Sequence, residues 1–143
     1  EKHFIFNDGF CHVHKSIHSE DVKKAKELHP DALVLAHPEC TSDTLALADF
    51  IGSTSQIIDY ATASDSKKFL ICTEMGVFYE LMQKNPDKKF FSVGHRQFCP
   101  NMKKVSLDKV LEKLEDLKDE VILPEEMCEQ AKKPLDEMLR LAQ

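Results

Sequence analysis

The chain has 143 residues, five cysteines and a formal charge of −6, from 25 acidic against 19 basic side chains. That length suits one domain, or one compact domain with an appendage, and buries a core without disulfide staples. A composition of 42% hydrophobic and 31% charged residues excludes a disordered chain. The acid excess argues against nonspecific nucleic-acid binding, and apolar runs such as Phe69 to Cys72 are too short to span a bilayer. No leader pattern precedes Glu1 and the cysteines are dispersed, so reduced thiols in a cytoplasmic protein are expected. The chain opens on Glu1-Lys2-His3-Phe4-Ile5-Phe6 without an initiator Met, and a fragment of a longer protein is the expectation.

Taken in chain order, His3 to Phe6 reads as a short apolar strand. Asp21 to Leu28 reads as a helix with Val22, Ala25 and Leu28 inward, Ser19 as N-cap and Pro30 past its end. Ala32 to Ala36 is an unbroken apolar run, the pattern of a strand buried on both faces. Thr41 to Asp49 predicts a helix, Phe50-Ile51 a strand, and Thr54 to Thr62 a helix opening after Gly52-Ser53. Lys68 to Cys72, Met75 to Gln83 and Lys89 to Val93 continue the alternation as strand, helix and strand. Such alternation with short links predicts an α/β fold: a three-layer α/β/α domain on a parallel sheet, spanning 1–94.

After Val93 the texture changes. Gly94 to Lys104 is a polar loop containing Cys99-Pro100. Ser106 to Leu117 is strongly amphipathic, with Leu107, Val110, Leu111, Leu114 and Leu117 at three- and four-residue steps. Val121 to Leu123 reads as a short strand. Pro124 then opens a last helix to Leu141, which Pro134 should kink or break. Residues 95–143 are expected to be a loop and helical segment that packs on another domain.

In an open α/β sheet, chemistry gathers beyond the C-terminal ends of the strands. The residues there are Gly9-Phe10-Cys11-His12-Val13-His14, His37-Pro38-Glu39-Cys40, Gly52-Ser53-Thr54-Ser55, Thr73-Glu74, and His95 followed by Cys99. Cys11-x-x-His14 suits shared metal ligation, and equally describes a buried thiol beside a hydrogen-bonded loop histidine. His37 beside Glu39 suits general acid/base work, against a plain reading as a turn residue and an exposed acid. Ser53-Thr54-Ser55 at a helix start offers a phosphate cradle, or an ordinary N-cap. Cys99 before Pro100 has the look of an iron–sulfur ligand. Cys40, Cys72 and Cys128 read as packing or surface thiols.

In this order the segments resemble the C-terminal part of the quinolinate synthase family, iron–sulfur enzymes of de novo NAD biosynthesis. The resemblance is carried by Gly9 to His14, by His29-Pro30-Asp31-Ala32 running into His37-Pro38-Glu39-Cys40, and by Ala48 to Ile58. It continues through Thr73-Glu74-Met75-Gly76-Val77, Cys99-Pro100-Asn101-Met102-Lys103 and Ala131-x-x-Pro134-Leu135-x-x-Met138-Leu139, so it covers essentially the whole chain.

The resemblance implies a transferase that condenses iminoaspartate with dihydroxyacetone phosphate to quinolinate, with loss of phosphate and water. It implies three similar α/β/α domains and an open-site [4Fe–4S] cluster that acts as Lewis acid and is held by only three cysteines. Cys11 and Cys99 match two cluster ligands, and the third belongs to a part of the family enzyme absent from this chain. His37 and Glu39 match residues that contact substrate carboxylates and handle protons, Ser53 and Thr54 match the phosphate-binding pair, and His14 matches an active-site histidine. Many members carry an acid where this chain has Lys15. The partner expected is the missing N-terminal half, without which this chain is expected to be inactive. The alternative expectation is a non-catalytic module that binds phosphate, or a metal such as zinc through Cys11, His14 and Cys99.

Overall fold

The computed structural model describes residues 3–6 and 8–142. Four parallel strands form one sheet: β1 (Leu33–Ala36), β2 (Phe50–Ile51), β3 (Lys68–Cys72) and β4 (Lys89–Ser92), in spatial order β2-β1-β3-β4. Seven α-helices accompany them among the described residues: α1 (His12–Lys15), α2 (Ser19–Leu28), α3 (Ser42–Leu45), α4 (Thr54–Ala63), α5 (Val77–Lys84), α6 (Leu107–Asp116) and α7 (Glu125–Leu141). The architecture is α/β, as the alternation of apolar runs and amphipathic stretches predicts.

Strand alternation sorts the core into two layers. Val34, Ala36, Leu70 and Cys72 face Ile17, Val22 and Ala25 on the side of α2. Leu35, Phe69 and Ile71 face Ile57, Ala61, Val77 and Leu81 on the side of α4 and α5. Both faces of β1 and β3 are therefore covered, which is why these strands read as unbroken apolar runs rather than alternating ones. The order of strands reverses between β1 and β3. In an open parallel sheet, that switch point opens a crevice at the strands' C-terminal ends.

Two compact units divide the chain, Glu1–Met102 and Lys103–Gln143. The division falls after the 94/95 boundary expected from the change in texture, because the loop that follows β4 is tied to the sheet. Gln97 is the tie: its buried amide donates to the carbonyls of Ile71 and Thr73, both at 2.6 Å. In the second unit, α6 is capped by the Ser106 hydroxyl, which accepts the Lys109 N–H. Its leucines are exposed.

Several local expectations are corrected. His3 to Phe6 forms no strand and its side chains are exposed, since no neighbouring strand pairs with its backbone among the described residues. Val121 to Leu123 likewise has no strand partner and stays irregular. Ser19 begins α2 instead of capping it, because its hydroxyl donates to Asp43 at 2.7 Å. Leu28 is 78% exposed, leaving Val22 and Ala25 to anchor that helix. The helix expected over Thr41–Asp49 contracts to Ser42–Leu45, since Asp49 serves the sheet: its backbone and carboxylate both bond Val34. Pro134 does not break α7, which runs through it.

Candidate functional site

The site begins with one helical turn. α1 starts directly after Cys11, and the Cys11 carbonyl accepts the Lys15 N–H. A three-residue step puts Cys11 and His14 on one side of that turn. Behind them, the exits of β1 and β3 are fastened together by the His37 N–H donating to the Cys72 carbonyl at 3.1 Å. Residues from 11, 37 and 73 thereby meet at the switch point.

His14 is the centre of this meeting and is almost wholly buried. Its Nδ1 lies 3.0 Å from the Glu39 carboxylate and its Nε2 lies 2.9 Å from the Thr73 hydroxyl. An ionised carboxylate only accepts, so Nδ1 carries the proton, and in the neutral ring Nε2 accepts from the Thr73 hydroxyl. The His37 ring stacks on His14 with centroids 4.1 Å apart and planes 5° from parallel. The Glu39 N–H donates to His37 Nδ1 at 3.3 Å, which places the neutral His37 proton on Nε2. Burial holds His37 below the usual imidazole pKa; the nearby His14 lowers it further and Glu39 opposes this. Neutral imidazole is therefore favoured at His37.

A cavity of about 420 Å³ opens beside these groups, lined by Cys11, His14, Thr54, Thr73, Glu74, Cys99 and apolar neighbours. Both thiols are half-buried. Two soft donors on one largely apolar cavity fit iron–sulfur ligation in kind. A separate close-set group, Cys11, His14 and Glu39, has donor atoms within 4.8 Å of one another. Among the described residues Cys99 is not a member of that group, though it lines the same cavity as Cys11 and His14. Ligation through His14 Nε2 would also displace Thr73. A cavity of about 500 Å³ lies against α2, lined in part by Lys23, Lys26 and Asp49. It holds none of the residues expected to carry chemistry, and Lys26 there already donates to the Ala32 carbonyl.

Ser53 caps α4: its hydroxyl accepts the Gln56 N–H, while the Gln56 side chain accepts the Ser53 N–H at 2.8 Å. The first-turn N–H groups of Thr54 and Ser55 have no intrahelical acceptor, and Thr54 reaches the shared cavity. Gly52 makes the tight exit from β2 possible. A Cβ there would stand 2.7 Å from the Phe50 ring.

A family model described as NadA, quinolinate synthetase A protein, matches residues 1–140. The chain belongs to the quinolinate synthetase A family. Among curated members, the quinolinate synthase of Caldicellulosiruptor bescii is 51% identical over 141 residues, which cover 99% of this chain and 46% of that protein. Quinolinate synthase 2 of Methanosarcina acetivorans is 44% identical over 142 residues (99% and 46%), and the quinolinate synthase of Clostridioides difficile is 41% identical over 143 (100% and 47%). The chain spans about half the length of these quinolinate synthetase A relatives.

The other cysteines of this family member lie apart from the cavity lining. Cys40 is buried with its Sγ 3.5 Å from the Cys72 carbonyl, and burial pushes its thiol up to about 11. Burial pushes Cys72 strongly up as well, and Cys128 is exposed on α7. Lys15 places its ammonium 3.9 Å over the Phe10 ring. His95 is exposed. Thr73 and Glu74 were visible in the sequence as a strand exit, but nothing there assigned them partners. Gln97 gave no signal at all, being one polar residue in a polar loop.

Proposed function

We propose that this chain carries the C-terminal half of a quinolinate synthase active site, condensing iminoaspartate with dihydroxyacetone phosphate to quinolinate. The observation that carries this reading is that Cys11 and Cys99, 88 positions apart in sequence, line one cavity with the His14 pairs beside it. In this reading Cys11 and Cys99 hold two irons of a [4Fe–4S] cluster, and the third thiolate comes from the missing N-terminal half. When bound, such a cluster supplies a Lewis acid at its open iron.

The chain's own residues do the remaining work. Ser53, Thr54 and the first-turn N–H groups of α4 hold the substrate phosphate, where the helix dipole favours an anion. His37, protonated on Nε2, donates to a substrate carboxylate. Glu39 accepts and returns protons, and His14 keeps that carboxylate oriented through the Nδ1–H. The exposed apolar face of α6, together with Leu135, Met138 and Leu139 of α7, docks on a neighbouring domain of the intact enzyme. The protein works in the cytoplasm, where reducing conditions keep its thiols reduced.

The test uses the full-length enzyme prepared anaerobically. Cys11→Ser and Cys99→Ser should each abolish the cluster's visible absorbance and quinolinate formation, and full activity in either variant would refute the assignment. The 143-residue chain alone should show no turnover. Specific, stoichiometric zinc binding by that chain would favour the alternative of a metal-binding module.

A further inference from the structure

We propose that Glu74 and Gln97 are positioning residues that hold the Cys99 loop in its ligating conformation before any metal arrives. The inference rests on reading Cys99 as a cluster ligand. Gln97 is 3% exposed and uses its complete hydrogen-bonding capacity. Its amide nitrogen donates to the carbonyls of Ile71 and Thr73, and its Oε1 accepts from the N–H groups of Val93 at 2.8 Å and Gly94 at 3.3 Å. The Gln97 carbonyl also accepts the Met75 N–H at 2.8 Å. One residue thus clips the loop to the ends of both β3 and β4.

Glu74 supplies the second attachment, two residues closer to the thiol. Its carboxylate accepts the Cys99 N–H at 3.2 Å through one oxygen and the Gly76 N–H at 2.6 Å through the other. Glu74 and Cys99 line the same cavity. A polar loop with no buried apolar side chain of its own needs such clips, because otherwise ordering it on metal binding would cost backbone entropy. The Glu74 carboxylate has a second consequence. It places negative charge beside the ligand and keeps the Cys99 N–H from bonding a cluster or thiolate sulfur, and both effects disfavour the reduced, more negative cluster.

The experiment uses the full-length enzyme, reconstituted anaerobically with iron and sulfide. Its readouts are iron content per chain, the rate of iron loss to a chelator, and the midpoint potential from an EPR-monitored titration. Glu74→Gln, at a half-buried position, should still take up a cluster, but with a more positive potential and about tenfold faster iron loss. Gln97→Met should load less than half the wild-type iron. Should that variant fail to fold, the Glu74→Gln values decide alone. Wild-type potential and wild-type iron loss in Glu74→Gln would overturn the inference. Cys99→Ala separates the two ideas: if it keeps the full iron complement, the ligand reading itself falls and this inference with it.

Discussion

Thr73 illustrates what a single hydroxyl does in this molecule. It sits at 1% exposure against His14 Nε2, and its rotating hydrogen donates to the neutral ring or turns away to accept from the protonated one. Thr73→Val keeps the shape and removes that partner, leaving a buried ring nitrogen unpaired. We expect a loss of about 1–3 kcal/mol, read from urea unfolding, with Thr73→Ser restoring most of it. Equal stability of the valine variant would mean the pair contributes nothing. At this scale the sequence displayed the site residues by position, because each stands just past a strand end. It did not display their pairing. The contact joins positions 59 apart, and only the β1–β3 neighbourhood brings α1 over both exits. Gln97 stayed hidden for a related reason: whether an amide in a loop is solvated or fully bonded depends on which carbonyls the fold brings to it.

Elements were legible where local pattern and tertiary packing agree. β3 appears at Lys68–Cys72 as the apolar run indicates, and α4 opens at Thr54 behind Ser53. Where an element depends on a distant partner, pattern alone misleads. The β-branched Val121 and Ile122 remain irregular for want of a neighbouring strand among the described residues, and the inward helix of Thr41–Asp49 yields its last residues to β1. The β2–α4 junction offers a direct test of local design. Ser53→Ala removes the acceptor for the Gln56 N–H and should cost about 1 kcal/mol. Gly52→Ala forces a Cβ against Phe50, whose ring stacks on Tyr60 at 4.3 Å, so strand and helix must part. A cost of about 1–3 kcal/mol is expected in chemical denaturation. Under the proposed function both changes also weaken binding of the phosphate substrate, seen as a raised KM. An unchanged KM in both would detach this junction from phosphate.

For the molecule as a whole, His37 and Asp43 show two separate ways in which stability responds to acid. His37 is held below its ordinary pKa of 6.5, chiefly by burial, so between that lowered value and about 6.5 the unfolded chain binds more protons than the folded one. Stability from this source is complete above about pH 6.5 and drains away as pH falls through the folded-state value. Asp43 acts lower on the scale. Hydrogen bonds from Thr41 and Ser19 bring its carboxyl down to about 2. Its contribution is full above the ordinary value of 3.8 and disappears as pH approaches about 2. Both groups make the fold weaker on acidification, in two separate windows. The upper window belongs to the face at the exits of β1 and β3, and the lower one to the junction of α2 and α3, where Ser19 donates to Asp43. Urea unfolding at intervals from about pH 7.5 to about pH 3 should therefore show a two-part decline. His37→Gln should flatten the part below about 6.5 and leave the lower part intact. Asp43→Asn should make the lower part shallower, without removing the share that Asp31 and Asp87 contribute through their lysine partners, and leave the upper part intact. Parallel curves for wild type and His37→Gln would show that the imidazole's burial is not coupled to folding.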